Sequence, residues 1–223
     1  MKKKVNRLRV AIDGPAASGK NTLAKQIAKK YKLLHLDSGK LYRYFALQVH
    51  HSKDQKVNYT KLNQALKKLT LKKLKDKRLT TEPVTKIASV ISKIKRIRQM
   101  LKKVQHDLAY NPPKKFKGSI LDGRDIGTVI MPDAHVKVYL TASLNVRAIR
   151  RYKEYKKMGV KTTLNKVKSD IKKRDYEDTH RKISSLKPAK DAVLLDSSFY
   201  NTRSAFVEID EVIRKRIKLL NAT

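Results

Sequence analysis

Nine residues between an apolar segment and a helical pattern have the composition of a phosphate-binding loop. They follow Leu8–Ile12 and read Gly14-Pro15-Ala16-Ala17-Ser18-Gly19-Lys20-Asn21-Thr22. Glycines permit backbone angles closed to other residues, so several N–H groups can point at phosphate oxygens. The N-terminus of a helix predicted from about Thr22 to Tyr31 adds partial positive charge, and Lys20 adds a full one. The stretch therefore predicts a site for nucleotide phosphates.

One residue of this loop departs from the usual pattern, in which Ser or Thr directly follows the lysine. Here Asn21 stands at that place and Thr22 comes one residue later. The alternative is an ordinary glycine turn before a helix. The spacing, the strand–loop–helix context and the lysine together favour phosphate binding.

Two further apolar runs end in polar side chains. Leu33–Leu36 leads into Asp37 and Ser38, with Arg43 in the next helical segment, and an apolar strand before Asp122 continues as Gly123-Arg124-Asp125. Parallel strands place such ends at one edge of a sheet, where ligands bind. A carboxylate there could hold metal-bound water and Arg124 a phosphate. Without the glycine loop, a capped strand-to-loop turn would be the favoured explanation of the second stretch.

Basic helices near the C-terminal end predict a lid. A helix capped by Thr141-Ala142-Ser143 carries Arg147, Arg150 and Arg151, and Met158-Gly159 follows as a flexible centre. Charged helices around a glycine hinge suit a segment that covers phosphates. We expect this lid at about residues 152–168.

The order of elements predicts an α/β fold. Five short apolar runs alternate with helical patterns, which is typical of a five-stranded parallel sheet with helices on both faces. We expect one domain over residues 1–223, with a polar, lysine-rich helical insert at about 55–81. One long helix is predicted from Val84 to about Leu108, with Pro83 in its first turn and a buried stripe that leaves Arg96 and Arg98 outside; the stripe comprises Ile87, Val90, Ile91, Ile94, Ile97, Leu101, Val104 and Leu108.

The charge of the chain is strongly positive. It has 55 Lys and Arg against 19 Asp and Glu, a net charge of +36 over 223 residues. Such an excess attracts polyanions. Either the protein functions by binding nucleic acid, or it is a nucleotide enzyme in which functionally neutral surface positions have become lysine. The lysines are scattered and the chain has no Trp and four Phe for base stacking, which favours the second explanation.

The remaining composition points to a soluble intracellular protein. There are no cysteines, so disulfides and thiolate metal sites are excluded. The basic start Met1–Lys4 is followed by an apolar run too short for a signal peptide, and no stretch could span a bilayer. We expect a cytoplasmic monomer with no membrane partner and no specific nucleic-acid partner.

The candidate residues favour phosphoryl transfer. A phosphate loop accompanied by many arginines, with no evident nucleophile and base, suits an acceptor that needs little activation. A phosphate monoester is such an acceptor because it is largely ionised near neutral pH. This predicts a small P-loop kinase and leaves the acceptor open.

The chain resembles bacterial cytidylate kinases over nearly its whole length. The resemblance rests on several separate blocks in order: Ile12-Asp13-Gly14-Pro15 through Lys20, Leu36-Asp37-Ser38-Gly39 with Tyr42-Arg43, Asp122 through Val129, Pro132-Asp133-Ala134, and Arg174-Asp175 with Asp178 and Arg181. It implies a nucleoside-monophosphate kinase fold with a small NMP-binding insert and a lid. It also implies transfer of the γ-phosphoryl group of ATP to CMP or dCMP with Mg²⁺.

The resemblance also implies roles for individual residues. The loop from Gly14 to Thr22 would hold the ATP phosphates, with Mg²⁺ reached through water by Asp122 or Thr22. Catalysis would fall to Lys20, Arg124, Arg150 and Arg151. The CMP side would use Ser38, Arg43, Arg124 and Arg181 for the phosphate, Ser89, Arg98 and Asp125 for the cytosine edge, and Arg174 and Asp178 for the ribose.

Two departures from the family pattern stand beside two rival functions. Family members usually have Gly where Asn21 stands, and the insert is shorter, more helical and more basic than is usual.

A related rival is a small P-loop kinase for UMP, AMP or a non-nucleotide acceptor. A rival of another class is a basic nucleic-acid-binding protein on the same fold.

Overall fold

The computed structural model describes residues 7–52 and 56–222. The chain divides into two compact units, which are taken separately. The sheet unit comprises residues 1–36 and 106–223, and the helical unit comprises residues 37–105.

A parallel sheet forms the centre of the sheet unit. In the part of the chain that is described, its order is β2-β3-β1-β4-β5, and the strands are β1 (Leu8–Asp13), β2 (Leu34–Asp37), β3 (Gly118–Gly123), β4 (Val136–Thr141) and β5 (Val193–Asp196). β1 lies between β3 and β4 and is parallel to both. The predicted five-stranded parallel sheet is confirmed.

Helices cover both faces of this sheet. They are α1 (Lys20–Tyr31), α6 (Leu144–Lys157), α7 (Leu164–His180), α8 (Thr202–Ala222) and the last turn of α5 (Lys95–Tyr110). On one face, alternate residues of the strands such as Val10 and Ile12 form a buried core with Ile27 of α1 and Ile209 of α8. On the other face, Ser119 Oγ donates a hydrogen bond to the carbonyl oxygen of Ala109 at 2.6 Å.

The helical unit contains α2 (Ser38–His50), α3 (Tyr59–Lys67), α4 (Glu82–Ile91) and most of α5. Two short 3₁₀ turns, Lys73–Lys75 and Lys77–Thr80, lie between α3 and α4. The predicted helical insert at about 55–81 falls here. Gln55 lies outside the described residues, and the rest contains one α-helix and these two turns. The boundaries of the insert and of the lid stay predictions.

The prediction of one helix from Val84 to Leu108 is wrong. α4 ends at Ile91 and α5 begins at Lys95. The amides of Lys93 and Ile94 bond to the carbonyls three residues earlier, which tightens the chain and ends the first helix. Val90, predicted to be buried, is 63% exposed, and Arg98, predicted to lie outside the buried stripe, is 7% exposed.

A smaller correction concerns the start of α1. α1 begins at Lys20 and not at Thr22, which places Lys20, Asn21 and Thr22 in its first turn. Pro83 lies in the first turn of α4, as predicted. Within residues 7–52 and 56–222, no helix combines the length and apolar character needed to cross a membrane.

Candidate active site

The glycine loop is fixed by a close approach to β4. Gly14 has φ +148°, and a Cβ added there would lie 1.9 Å from the carbonyl oxygen of Leu140. Only glycine fits at this distance and conformation. Gly19, at φ +97°, precedes α1, so the loop ends at the positive N-terminus of a helix. This is the geometry of a phosphate-binding loop.

The side chain of Lys20 is buried beneath this loop. Its Nζ donates to the carbonyl oxygen of Pro15 at 2.6 Å and to Ser18 Oγ at 3.2 Å. Burial and the nearby Arg124 hold the pKa of Lys20 well below its usual value, while surrounding carboxylates, first Asp122 and then Asp13, act in the opposite direction. The Lys20 ammonium therefore lies within a buried cluster of charges at the strand ends.

Asp13, the last residue of β1, joins the loop to the stretch after β3, a role that sequence reasoning missed. Its two carboxylate oxygens accept from the amides of Ile126 at 2.8 Å and Gly127 at 2.7 Å. Burial raises the pKa of Asp13 to about 6, although those two hydrogen bonds favour the charged form. Its position directly before Gly14 at a strand end was the available signal.

Arg124 and residues of α7 form a cluster of arginines around one carboxylate. Arg124 Nε donates to Asp178 Oδ2 at 2.7 Å, Arg181 Nη1 lies 3.4 Å from Asp178 Oδ1, and Arg174 Nε lies 4.0 Å from Oδ2. Burial would raise the pKa of Asp178, but Arg124, Arg174 and Arg181 outweigh it and hold that pKa below its usual value. The structure thus brings together four of the predicted acceptor-side residues.

Asp125 directly follows Arg124 in sequence and is buried. Its carbonyl oxygen accepts from the amides of Val129 at 2.9 Å and Ile130 at 3.2 Å, which begins the π-helical turn Ile126–Ile130. Its carboxylate is close enough to raise the pKa of Asp13. The predicted stretch from Asp122 to Thr128 is therefore a charged strand end and not merely a capped turn.

Oxygen ligands for a hard cation are present at the end of β3. Asp122 Oδ1 lies 2.6 Å from His35 Nε2, which orients the carboxylate, while Thr22 is exposed in the first turn of α1. Among the described residues, no group of three or more His, Cys, Asp or Glu could hold a metal ion by itself. This donor set fits Mg²⁺, which is usually bound through waters and substrate phosphates with few carboxylates.

The three arginines of α6 have different surroundings. Arg150 donates to the carbonyl oxygens of Ser197 at 2.7 Å and Tyr200 at 3.3 Å. Its Nη1 also lies 3.4 Å from the carbonyl oxygen of Ser18. It therefore fastens the turn after β5 to the glycine loop. Arg151 Nη1 lies 3.3 Å from Glu154 Oε2.

Arg147, the third of them, is buried and reaches the loop itself. Its Nη1 donates to the carbonyl oxygen of Ala16 at 3.2 Å and pairs with Asp175. Asp175 was noted only as part of a motif, and its contact with the loop was missed. No signal in the sequence distinguishes Arg147 from its two neighbours, because all three lie in one basic helix.

In the helical unit, fewer charged groups surround the candidate residues than in the sheet unit. Asp37 caps α2 by accepting from the amide of Lys40 at 3.2 Å, and Arg43 Nη1 lies 4.0 Å from Asp37 Oδ2. Ser38 is buried in the first turn of the same helix. Ser38 and Arg43 therefore both lie at the start of α2.

Arg98 is a buried cation of the helical unit. Its Nη1 donates to the carbonyl oxygen of Ser92 at 3.0 Å, and its guanidinium carbon lies 5.5 Å from the centre of the Tyr42 ring. Ser92 Oγ in turn donates to the carbonyl oxygen of Ser89 at 2.8 Å. The end of α4 thus brings Ser89 and Arg98 into one hydrogen-bonded group.

Asn21 is the second residue of α1 and is partly buried. Its backbone is helical, so the unusual backbone angles that asparagine tolerates are not needed here. The structure gives no physical reason for asparagine at this position.

Comparison with known proteins identifies a single family. The sequence model described as cytidylate kinase matches residues 10–220. The chain is 41% identical over 222 residues to the cytidylate kinase of Bartonella bacilliformis, covering 96% of this chain and 100% of that one. The cytidylate kinase of Bradyrhizobium diazoefficiens is 42% identical over 208 residues, at 92% and 96% coverage.

Solved structures support the fold. A protein from Eubacterium ventriosum, described as uncharacterized, superimposes with a TM-score of 0.55 at 13% identity, covering 93% of this chain and 99% of that one. At this identity the likeness bears on the fold alone.

Proposed function

The chain belongs to the cytidylate kinase family, and we infer that it transfers the γ-phosphoryl group of ATP to CMP or dCMP, giving ADP and CDP or dCDP. The observation that carries this inference is the glycine loop with Lys20 buried beneath it among Asp13, Asp122 and Arg124. Such a loop binds the phosphates of a nucleotide.

On the ATP side, the residues from Gly14 to Thr22 bind the phosphates. Backbone N–H groups of the loop and the N-terminus of α1 neutralise the phosphate oxygens. Lys20 stabilises the negative charge of the phosphoryl group during its transfer from donor to acceptor. Arg150 and Arg151 are assigned to the same step. The hydrogen bonds of Arg150 to Ser197 and Tyr200 support a role in fixing the loop's surroundings.

On the acceptor side, three groups of residues bind the parts of CMP. We assign the monophosphate to Ser38, Arg43, Arg124 and Arg181, the cytosine edge to Ser89, Arg98 and Asp125, and the ribose to Arg174 and Asp178. The shared contacts of Arg124, Arg174 and Arg181 with Asp178 support this assignment, because one carboxylate orients three guanidinium groups. Each guanidinium can then hold a phosphate or a hydroxyl in a fixed direction.

Mg²⁺ accompanies ATP in this proposal. Bound to the phosphates, it supplies neutralisation of their developing charge. Asp122, oriented by His35, and Thr22 would hold it through water. Since CMP already carries ionised phosphate oxygens, no residue has to remove a proton from the acceptor, and alignment of the two nucleotides is the main task of the protein.

The surrounding organisation is proposed with the activity. We assign acceptor binding to the insert at about 55–81 and closure over the phosphates to the segment at about 152–168. We assign the enzyme to the cytoplasm as a monomer. It has no nucleic-acid partner in this proposal, because its substrates are free nucleotides and its lysines are scattered along the chain.

Transfer of label tests the proposed function. Purified protein with Mg²⁺, CMP and ATP labelled in the γ-phosphoryl group should yield labelled CDP, and Lys20→Ala should not. Label released only as inorganic phosphate would show hydrolysis of ATP and would overturn the proposal.

A further inference from the structure

The residue at the centre of the glycine loop has a strained backbone. Ala17 has φ +60°, in the left-handed region that is sterically unfavourable for a residue with a Cβ. Such conformations persist only where surrounding structure enforces them. In this chain α6 and α7 provide that surrounding structure.

Polar contacts hold Ala16 on both of its backbone groups. Its amide donates to Asp175 Oδ1 of α7 at 3.3 Å, and its carbonyl oxygen accepts from Arg147 Nη1 of α6 at 3.2 Å. Arg147 also pairs with Asp175 Oδ2 and donates through Nε to the carbonyl oxygen of Ala142 at 2.8 Å. The Arg147–Asp175 pair therefore holds Ala16, which directly precedes the strained Ala17.

Apolar contacts hold Ala17 from the same side. Its methyl group packs against a small cluster formed by Ala148 of α6 with Val167 and Ile171 of α7. The loop is thus held by two helices through a buried ion pair and an apolar cluster at once. Side-chain exposure of 9% for Arg147 and 19% for Asp175 keeps this pair largely out of water.

We propose that Asp175, acting through Arg147 and the amide of Ala16, is a positioning residue that keeps the phosphate loop in its ATP-binding conformation. Asp178, which orients the acceptor-side arginines, lies one helical turn further along α7. The same helix thereby fixes the loop for the donor and the arginines for the acceptor. This inference rests on the proposed kinase activity, for which it adds a residue that touches neither nucleotide.

The test compares Asp175→Asn with a matched exposed variant. Asparagine still accepts from Ala16 but loses the charge that holds Arg147, so KM for ATP should rise about tenfold, while KM for CMP changes less than about twofold. Asp170→Asn makes the same change on α7 in an exposed pair with Lys166, with side chains 58% and 68% exposed. It should behave as the wild-type protein.

A second substitution tests the proposed mechanism. Glycine adopts φ +60° without steric cost but loses the contact of the Ala17 methyl group with α6 and α7, so adding Ala17→Gly to Asp175→Asn should restore KM for ATP only in part, lowering it about fivefold. A purely structural role of Asp175 would not give this recovery. If Asp175→Asn does not fold, Arg147→Lys replaces it, because lysine keeps the charge but loses the fork that reaches Asp175, Ala16 and Ala142 together.

The outcomes separate this inference from the proposed function. Three results would overturn the positioning role while the wild-type kinase activity stands. They are equal KM values for ATP in the Asp175 and Asp170 variants, a parallel rise of KM for ATP and KM for CMP in Asp175→Asn, and no recovery of KM for ATP with Ala17→Gly. A wild-type protein that forms no CDP would instead overturn the proposed function.

Discussion

The two units fix their basic residues by different means. In the sheet unit, Arg124 donates to the carboxylate of Asp178 at 2.7 Å, and Lys20 lies near the carboxylates of Asp122 and Asp13. In the helical unit, Arg98 is held by a neutral carbonyl and an aromatic ring, and Arg43 by a carboxylate 4.0 Å away. A cation paired with a largely buried carboxylate, as Arg124 is, is part of the fold, whereas a cation held by neutral groups, as Arg98 is, is easier to redirect toward a ligand. Substitution of Arg124 should therefore lower stability as well as activity, whereas substitution of Arg98 should affect acceptor binding alone.

The largest effect is expected at Lys20. Lys20→Ala removes the buried ammonium beneath the phosphate loop and should lower kcat about a thousandfold. Steady-state formation of ADP in the presence of CMP measures it. Lys25→Ala, an exposed lysine on the same helix, is the control and should keep wild-type kcat. Comparable activity of the two variants would separate the loop from catalysis.

Next in size is the stability effect at Arg124. Arg124→Met leaves Asp178 buried with weaker partners and should lower the free energy of unfolding by about 3 kcal/mol, measured by urea denaturation. Lys166→Met breaks an exposed pair and should cost less than about 1 kcal/mol. If both variants lose the same stability, the sheet unit does not depend on its buried charges.

In the helical unit the expected effect is on binding. Arg98→Met should raise KM for CMP about tenfold and leave KM for ATP unchanged, because the lost group is assigned to the cytosine edge. Arg96→Met removes a neighbouring exposed arginine that stacks on Tyr59 and provides a control of equal charge change. An equal rise in both KM values would remove Arg98 from the acceptor site.

The last expected effect is a pH dependence of stability, which is spread over about two pH units. Since the pKa of Asp13 is raised to about 6 from 3.8, the folded protein binds its proton more tightly than the unfolded chain. This group's contribution to stability is therefore greatest at low pH and falls between about pH 4 and pH 6, by at most about 1.4 kcal/mol per pH unit. Urea denaturation of wild type and Asp13→Asn across this range isolates the slope from groups of opposite sign, such as Asp178. Parallel stability curves would contradict the raised pKa.

Sequence predicted those parts of the molecule that depend on local pattern. The glycine loop, the five strands and the charged end of β3 follow from spacing and from the alternation of strands and helices. The break between Ile91 and Lys95 was not predictable in this way, because apolar residues keep their helical spacing across it. The burial of Arg98 and the grip of Asp175 on Ala16 depend on packing between distant segments, which no periodicity encodes.

The most direct test of the account is a comparison of acceptors. Purified protein with ATP and Mg²⁺ should show kcat/KM for CMP and dCMP far above the values for UMP, AMP and GMP, measured by coupled ADP formation. A preference for AMP or UMP over CMP would contradict the assignment of the acceptor site.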